Sequence, residues 1–481
     1  MRNYIPAKQT FFFYDLETSG LSAREDRIMQ FAGQRTDTDL NEVDGPVNLL
    51  VKLNDDTLPS PQAIGVTKIT PQETQRDGLT EAELCRYLTG EIFTPGTVAI
   101  GYNSVRFDDE FMRHLWWRNF YDPYEWQWLD GRSRWDLLDV VRMTRALRPE
   151  GIEWPVTAEG KATNRLELLT KLNGIEHKHA HDALSDVEAL ISVTRLIREK
   201  QPQLYNYLFS ERGKKAVAKI VSLEKPRPFI YTSGRYPSRT GHTTVVYPIA
   251  PGRNGNILVY DLRYNLEDLL KERSGANENS AGEDKNDERD SGADNGSERK
   301  KTGFFPIVKE LALNKCPAVA PVGVLEQGGG WERIDLSEKQ VKHNLAILLK
   351  HPEFAEARAE EIQRQPEWPP AVDAEAALYD GFLPEPDKVR CNAVRNADAA
   401  KLADFHPVFM DERLDSLLLH YKARNYPKSL SEDEMRKWEE YRNARLNRQV
   451  PGFMAGLEKI SEQGVDEYII EELKLWYQSL V

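Results

Sequence analysis

Only three cysteines occur in 481 residues, Cys85, Cys316 and Cys391, far apart and odd in number. That argues against a disulfide framework and against a C-x-x-C zinc site, so they read as packing residues of a reducing compartment. Long apolar runs are also missing: none approaches the roughly 18 to 20 residues that cross a bilayer. Residues 1–10 hold no apolar stretch followed by a small-residue cleavage site, and the apolar run from Phe11 to Tyr14 ends at an acid. No secretory leader is expected, and the cytoplasm is the expected location. Basic charge is in deficit, with 64 Lys and Arg against 77 Asp and Glu, a net charge of -13. Such a balance counts against a nucleic-acid binder, although charge is local and a basic groove can lie on an acidic protein. No repeat of fixed period is present.

What is present is enough chain for two to four domains. Hydrophobic residues make up 40% and the mean hydropathy is -0.60, values of a soluble globular chain. The apolar and aromatic run at 11–17 ends in acids, the pattern of a buried strand that stops where chemistry starts. Alternation through Ile28, Gln30, Phe31, Gly33 and Arg35 predicts a second strand, and 47–53 a third, hairpin-linked across 37–45. A fourth falls at 97–101. Helices are predicted over 81–93, 108–117, 135–147, 165–173 and 182–199, with Gly174 placed to stop the fourth of them. Strands first and then strand and helix in alternation predict an α/β architecture about a mixed sheet for 1–200.

From Pro226 to Leu262 the chain is rich in Thr, Val, Tyr, Gly and Pro, so a small β-rich domain is expected within 201–355. Residues 273–303 lose nearly every large apolar side chain and read as a disordered insertion in it, unable to offset ordering entropy by burial. Beyond Leu336 the period is helical, with Leu414, Leu417, Leu418 and Tyr421, then Ile469, Ile470, Leu473, Trp476 and Tyr477. Pro366, Pro369 and Pro370 mark a boundary, and 356–481 is expected to be an all-α domain.

Three local patterns carry chemistry: Y-D-L-E-T at 14–18, N-S-V-R-F-D-D-E at 103–110 and H-D-A-L-S-D at 181–186. Asp15 and Glu17, two apart on a strand, project from one face, and a pair of like charges so close is costly unless a cation sits between them. Asp108 opens a predicted helix; Asp109 and Glu110 beside it read as acids favouring the helix dipole. Asp186 lies one turn into the last helix of this region. His181, just before that helix, is an imidazole matched to neutral pH and able to take a proton from water, while His177 and His179 read as solvated. Taken singly, each pattern is also what surface acids and a loop histidine look like. Together, four acids and a histidine are equipment for phosphodiester cleavage.

In this order the motifs resemble the DEDDh family of 3′→5′ exonucleases. Longer strings are similar to its bacterial exonuclease I branch: G-Y-N-S-V-R-F-D-D-E at 101–110, R-N-F-Y-D-P-Y at 118–124, S-R-W-D-L-L-D-V at 133–140, A-L-R-P-E-G-I at 146–152, N-G-I-E-H at 173–177, A-H-D-A at 180–183 and Y-K-A-R-N-Y-P at 421–427. The resemblance covers nearly the whole chain and departs chiefly at 273–303. It implies a ribonuclease H-like exonuclease domain, an SH3-like β domain and a helical C-terminal domain clamping single-stranded DNA. It further implies processive release of 5′-mononucleotides in DNA repair and recombination. Two magnesium ions, for which manganese can substitute, would be held by Asp15, Glu17 and Asp186 with Asp108 close by, and His181 would be the general base. In such centres two ions about 3.5 to 4 Å apart activate the attacking water and stabilise the leaving oxygen.

The same resemblance places Glu17, Arg113, Tyr124, Trp128, Arg142 and Arg165 against the DNA strand, which stacking and cation–phosphate contacts would hold. Trp116, Trp117, Phe120, Tyr121 and Trp126 read instead as core. Arg148 and Tyr207 would meet the C-terminal tail of single-stranded DNA-binding protein, though an arginine at A-L-R-P equally suits a helix end. A monomer is expected. The alternatives are a DEDDh ribonuclease trimming RNA 3′ ends, a DNA-end clamp without nuclease activity, and a scaffold acting through its acidic loop.

Overall fold

The computed structural model describes residues 8–177, 182–275, 307–365, 369–398 and 400–481. They form two compact units, 1–134 with 178–188 and 368–481, and 135–177 with 189–367.

In the first unit the strands are β1 (Thr10–Thr18), β2 (Ile28–Thr36), β3 (Val47–Leu50), β4 (Thr97–Gly101) and the opening of β5 (Ser133–Asp136). Their order is β3-β2-β1-β4-β5. β1 runs antiparallel to β2 and parallel to β4, so the sheet is mixed, as expected. The hairpin across 37–45 is present, but β3 stops at Leu50, and Val51 turns away to bridge Leu79. β1 is central because Phe11, Phe12, Phe13 and Tyr14 are buried on both of its faces. β2 is buried along its whole length rather than alternately. Its polar residues are therefore paired: Arg35 donates to Thr10, Thr97 and the Ile92 carbonyl.

One core cluster joins Phe12, Tyr14 and Phe31 of the sheet to Phe93, Trp116 and Trp126. Each such side chain contributes roughly 1.5–3 kcal/mol by leaving water. Two further clusters bring in the C-terminal helices Arg413–Asn425, Glu432–Glu462 and Glu467–Leu480. Met29, Leu53 and Ile64 pack with Phe453, Leu473 and Trp476, and Trp117 and Phe120 with Leu414, Leu417 and Tyr421. The apolar stripes expected on these helices are thus packed against the first sheet and the helices beside it. The predicted helix at 81–93 is α-helical only over Glu81–Tyr87, opened by a Thr80–Glu83 capping box, and continues as a π turn, Leu88–Ile92.

The second unit holds the helices Leu138–Leu147, Leu166–Leu172, Pro202–Glu211 and Lys214–Ile220. Trp135, expected in a helix, lies instead in β5. The Asp136 carboxylate accepts the Leu138 amide at 3.0 Å and delays the helix to that point. Gly174 follows Leu172 at φ +67, where it ends the turn as expected. The β-rich region is a five-stranded antiparallel sheet, β6 (Phe229–Thr232), β7 (Thr243–Pro251), β8 (Ile257–Asp261), β9 (Val308–Leu311) and β10 (Ala318–Pro321), in the order β10-β6-β7-β8-β9. The helix Leu266–Gly275 runs through the first three residues of the stretch expected to be disordered, and 276–303 lie outside the described residues. Among the described residues no helix is long and apolar enough to cross a membrane.

Candidate active site

Asp15 and Glu17 leave the same face of β1, opposite Ala32 and Gln30 of β2. The register shifts between Glu17 and Thr18, so a bulge ends the strand at the second acid. Asp108 arrives by a tight turn out of β4. A Cβ on Gly101 would lie 2.5 Å from that of Ser104, and Asn103 takes a left-handed φ of 65° that asparagine tolerates. The Ser104 carbonyl then accepts the Asp109 amide at 2.8 Å, and Asp108 opens the helix Asp108–Arg118, 4% exposed.

Asp186 sits in the first turn of the helix Ala183–Lys200. Asp182 caps that helix, accepting the Ser185 amide at 3.1 Å through its carboxylate and the Asp186 amide at 3.0 Å through its carbonyl. Gln30 donates to Asn48 at 2.9 Å and to Asp182 at 3.5 Å, linking the sheet to the helix start. Sequence reasoning passed over Asp182, although an acid three residues before Ser185 is a recognisable cap.

Asp15, Glu17 and Asp186, all half-buried, bring one carboxylate oxygen each within 4.8 Å of one another. Asp108 is outside this trio but acts on it: its charge is among those raising Asp15. Burial first, then Asp108, Asp186 and Asp182, hold the Asp15 carboxyl well above the usual range. Glu17 is pushed up to about 9, by burial and then by Asp15, Asp186 and Asp182. So much negative charge in a half-buried, all-oxygen cluster fits a hard divalent cation, which would reverse both shifts. His181 and His179 lie outside the described residues. His177, expected to be solvated, is half-buried, with its Nδ1 3.2 Å from the Thr170 hydroxyl.

Asp109 corrects the sequence reading. Rather than merely favouring a helix dipole, it is 1% exposed, accepts the Tyr14 hydroxyl at 2.6 Å and pairs with Arg134. Tyr14 immediately precedes Asp15, so this buried triad fixes β1 from behind. Glu110 likewise pairs with Arg113 and accepts from Tyr379.

Of the residues expected at the strand, Trp128 is 59% exposed and Tyr124 half-buried. Arg113 is buried and holds its guanidinium 5.6 Å from the Tyr124 ring centre. Trp116, Trp117, Phe120 and Trp126 are core, and Tyr121 is half-buried. In the second unit Arg142 is buried and paired with Asp139, whereas Arg165 is exposed at the start of Leu166–Leu172. Arg148 closes the helix Leu138–Leu147 and donates to the Leu147 and Val324 carbonyls. Tyr207 is half-buried, and burial pushes its hydroxyl up to about 12.

Family models match three stretches: Exonuclease over 12–194, Exonuclease I SH3-like domain over 212–280 and Exonuclease I C-terminal domain over 372–480. Exodeoxyribonuclease I of Haemophilus influenzae is 38% identical over 471 residues, 98% of this chain and 97% of its own. The chain belongs to the exodeoxyribonuclease I family. It is therefore a nuclease, and the expected fold is borne out: an exonuclease domain on the mixed sheet, an SH3-like domain and a helical C-terminal domain. The Escherichia coli member of the exodeoxyribonuclease I family is 36% identical over 479 residues, covering 99% of this chain and 97% of its own. Its crystal structure with a dA16 oligonucleotide superposes with a TM-score of 0.88 at 34% identity, over 98% of this chain and 100% of that one. A zinc-bound complex of the E. coli enzyme with single-stranded DNA gives 0.86 at 34% identity, over 98% of each chain. A structure of SSB/Exonuclease I with the inhibitor CFAM gives 0.85 at 32% identity, over 98% of this chain and 100% of that one.

Proposed function

We propose that this chain degrades single-stranded DNA processively from the 3′ end, releasing 5′-mononucleotides, as a magnesium-dependent enzyme of DNA repair and recombination in the cytoplasm. The carrying observation is the convergence of Asp15, Glu17 and Asp186 within 4.8 Å. The three carboxylates, with Asp108 beside them, would hold two magnesium ions. When bound, such ions activate the attacking water and offset charge on the leaving 3′ oxygen. His181 takes the proton from the water, and Asp182 fixes the helix start just beyond it. Glu17, Arg113, Tyr124, Trp128, Arg142 and Arg165 are the residues proposed to contact the DNA strand, Trp128 and Tyr124 by stacking on bases and the arginines through phosphates. The strand and the C-terminal tail of single-stranded DNA-binding protein are the partners, by analogy with the oligonucleotide-bound E. coli enzyme and the SSB/Exonuclease I structure. Arg148 and Tyr207 are the residues proposed for that tail. We read 1–200, 201–355 and 356–481 as the three domains of a monomer.

Digestion of end-labelled single-stranded DNA, duplex DNA and RNA tests this reading; faster loss of RNA would replace it with the RNA-trimming one. Trp128→Ala is expected to weaken oligonucleotide binding by about 1–3 kcal/mol, measured by fluorescence anisotropy, with mononucleotide-ester turnover unchanged.

Titration of the site gives a second test. With the folded-state value of Glu17 raised to about 9 above an unfolded value near ~4.3, its contribution is favourable below the unfolded value and is lost as pH rises through the folded one. A cation acts on the ionised form. The gain in unfolding temperature on adding magnesium should therefore grow from about pH 5.5 to about pH 8.5. A gain independent of pH would dissociate the carboxylates from the metal.

A further inference from the structure

Ser19, two residues beyond Glu17, is fully buried. Its amide donates to the Arg27 carbonyl at 2.8 Å, its hydroxyl accepts the Arg27 amide at 2.9 Å, and its carbonyl accepts the Ser60 amide at 2.6 Å. The chain leaving the catalytic strand is thus clamped by two segments, one ending at Arg27 and one running from Asp55 to Ser60. Both segments are also held from outside the sheet. The Arg27 guanidinium, inaccessible to solvent, donates to the Glu25 and Asp26 carbonyls and to Glu375 at 2.7 Å. Arg445 of the helix Glu432–Glu462 reaches both segments, donating to the Glu25 carbonyl at 2.6 Å and the Asp56 carbonyl at 3.1 Å. Arg424 pairs with Asp56 at 2.7 Å and with Glu375. The helix Glu432–Glu462 also supplies Gln449 to the Leu58 amide, and the helix Glu467–Leu480 supplies Trp476 to the Thr57 carbonyl.

This arrangement exceeds what is needed to attach helices to a sheet. Three buried arginines around two buried carboxylates are costly to desolvate, and an apolar contact of the same size would attach as well. Charged, directional bonds instead specify a geometry, and here those of Arg27 and Arg445 reach the backbone carbonyls of Glu25, Asp26 and Asp56, in the two segments that clamp Ser19.

We propose that Arg27, held by Glu375, which Arg424 pairs with in turn, is a positioning residue of the metal site, so that the C-terminal helices set the placement of Glu17 as well as any path for DNA. The proposal rests on the metal-site reading above. It predicts that loosening the network damages metal binding and the turnover of a substrate too small to touch the C-terminal helices.

The test uses the full chain with Arg27→Met, Arg27→Lys and Glu375→Gln, each checked for a cooperative unfolding transition above the assay temperature. Binding of Mn2+ alone is followed by electron paramagnetic resonance, and hydrolysis of thymidine 5′-p-nitrophenyl phosphate is followed by colour. Expected are a roughly tenfold weaker Mn2+ affinity and a comparable fall in kcat on the small ester for Arg27→Met, the size usual for residues that orient ligands. Arg27→Lys should recover part of both, and Glu375→Gln, the milder change, decides the matter if Arg27→Met does not fold. Unchanged Mn2+ affinity and unchanged ester kcat in a folded variant, with only the oligonucleotide KM raised, would overturn the proposal in favour of a pure DNA clamp. Absence of Mn2+ binding in the wild type would instead remove the metal-site reading itself.

Discussion

Asp186→Asn loses about three orders of magnitude in turnover while keeping its fold. The carboxamide is nearly isosteric, and Asp186 does not cap its helix; Asp182 does. What disappears is one of three converging negative charges. Several kcal/mol of transition-state stabilisation depend on the charge they hold in place, at about 1.4 kcal/mol per tenfold. Single-turnover cleavage of an end-labelled oligonucleotide measures the loss. Thermal unfolding without magnesium supplies a control with the opposite sign: because Asp186 raises both Asp15 and Glu17, neutralising it relieves repulsion and should leave the metal-free protein no less stable. Wild-type rates in the variant would remove Asp186 from the metal site.

Arg424→Met costs about 3–5 kcal/mol of stability, the penalty for breaking a buried ion pair from one side. The Arg424 side chain is 3% exposed and its partners Asp56 and Glu375 are fully buried. Burial alone would raise Asp56, yet Arg424, then Arg445 and Arg27, pull it far below the ordinary carboxylate range. Glu375 behaves alike, with Arg424 and Arg27 outweighing burial and His420 adding a hydrogen bond. A depressed folded-state value means the stabilisation is complete above the unfolded values, near ~3.9 and ~4.3, and is lost as pH falls through the folded ones. Wild-type stability should therefore fall off only below about pH 4. The variant, with two carboxylates left short of positive charge, should start lower and lose less on acidification. Urea titrations at neutral and acid pH give both numbers, and a loss under about 1 kcal/mol at neutral pH would mean that water reaches the pair.

The metal acids were legible because their chemistry is local. A strand period puts Asp15 and Glu17 on one face, and helix starts carry Asp108 and Asp186; three short strings hold that information. Asp109 was misread for the converse reason. Its partners are Tyr14 and Arg134, distant in sequence, and an acid in a first helical turn looks the same whether it faces water or a buried guanidinium. Trp135 was placed in a helix because aromatic and aliphatic residues suit either element over so short a stretch; the deciding bond, from Leu138 to Asp136, is a turn detail. Least visible of all was the charge network. Arg27, Asp56, Glu375, Arg424 and Arg445 are individually ordinary surface residue types, and only the fold reveals that each is buried. The helical stripes of Leu414, Leu417 and Tyr421 were plain in the sequence, but what they would cover was not.

Trp476 bonds to Thr57 across 419 residues of chain. Contacts of that separation slow folding, since a very long loop must close before they repay the cost. They also impose an order on synthesis. The strand bearing Asp15 is synthesised long before the helices that clamp its end. On the proposal above, a chain whose synthesis stops between the two carries Asp15 and Glu17 without the contacts that place them.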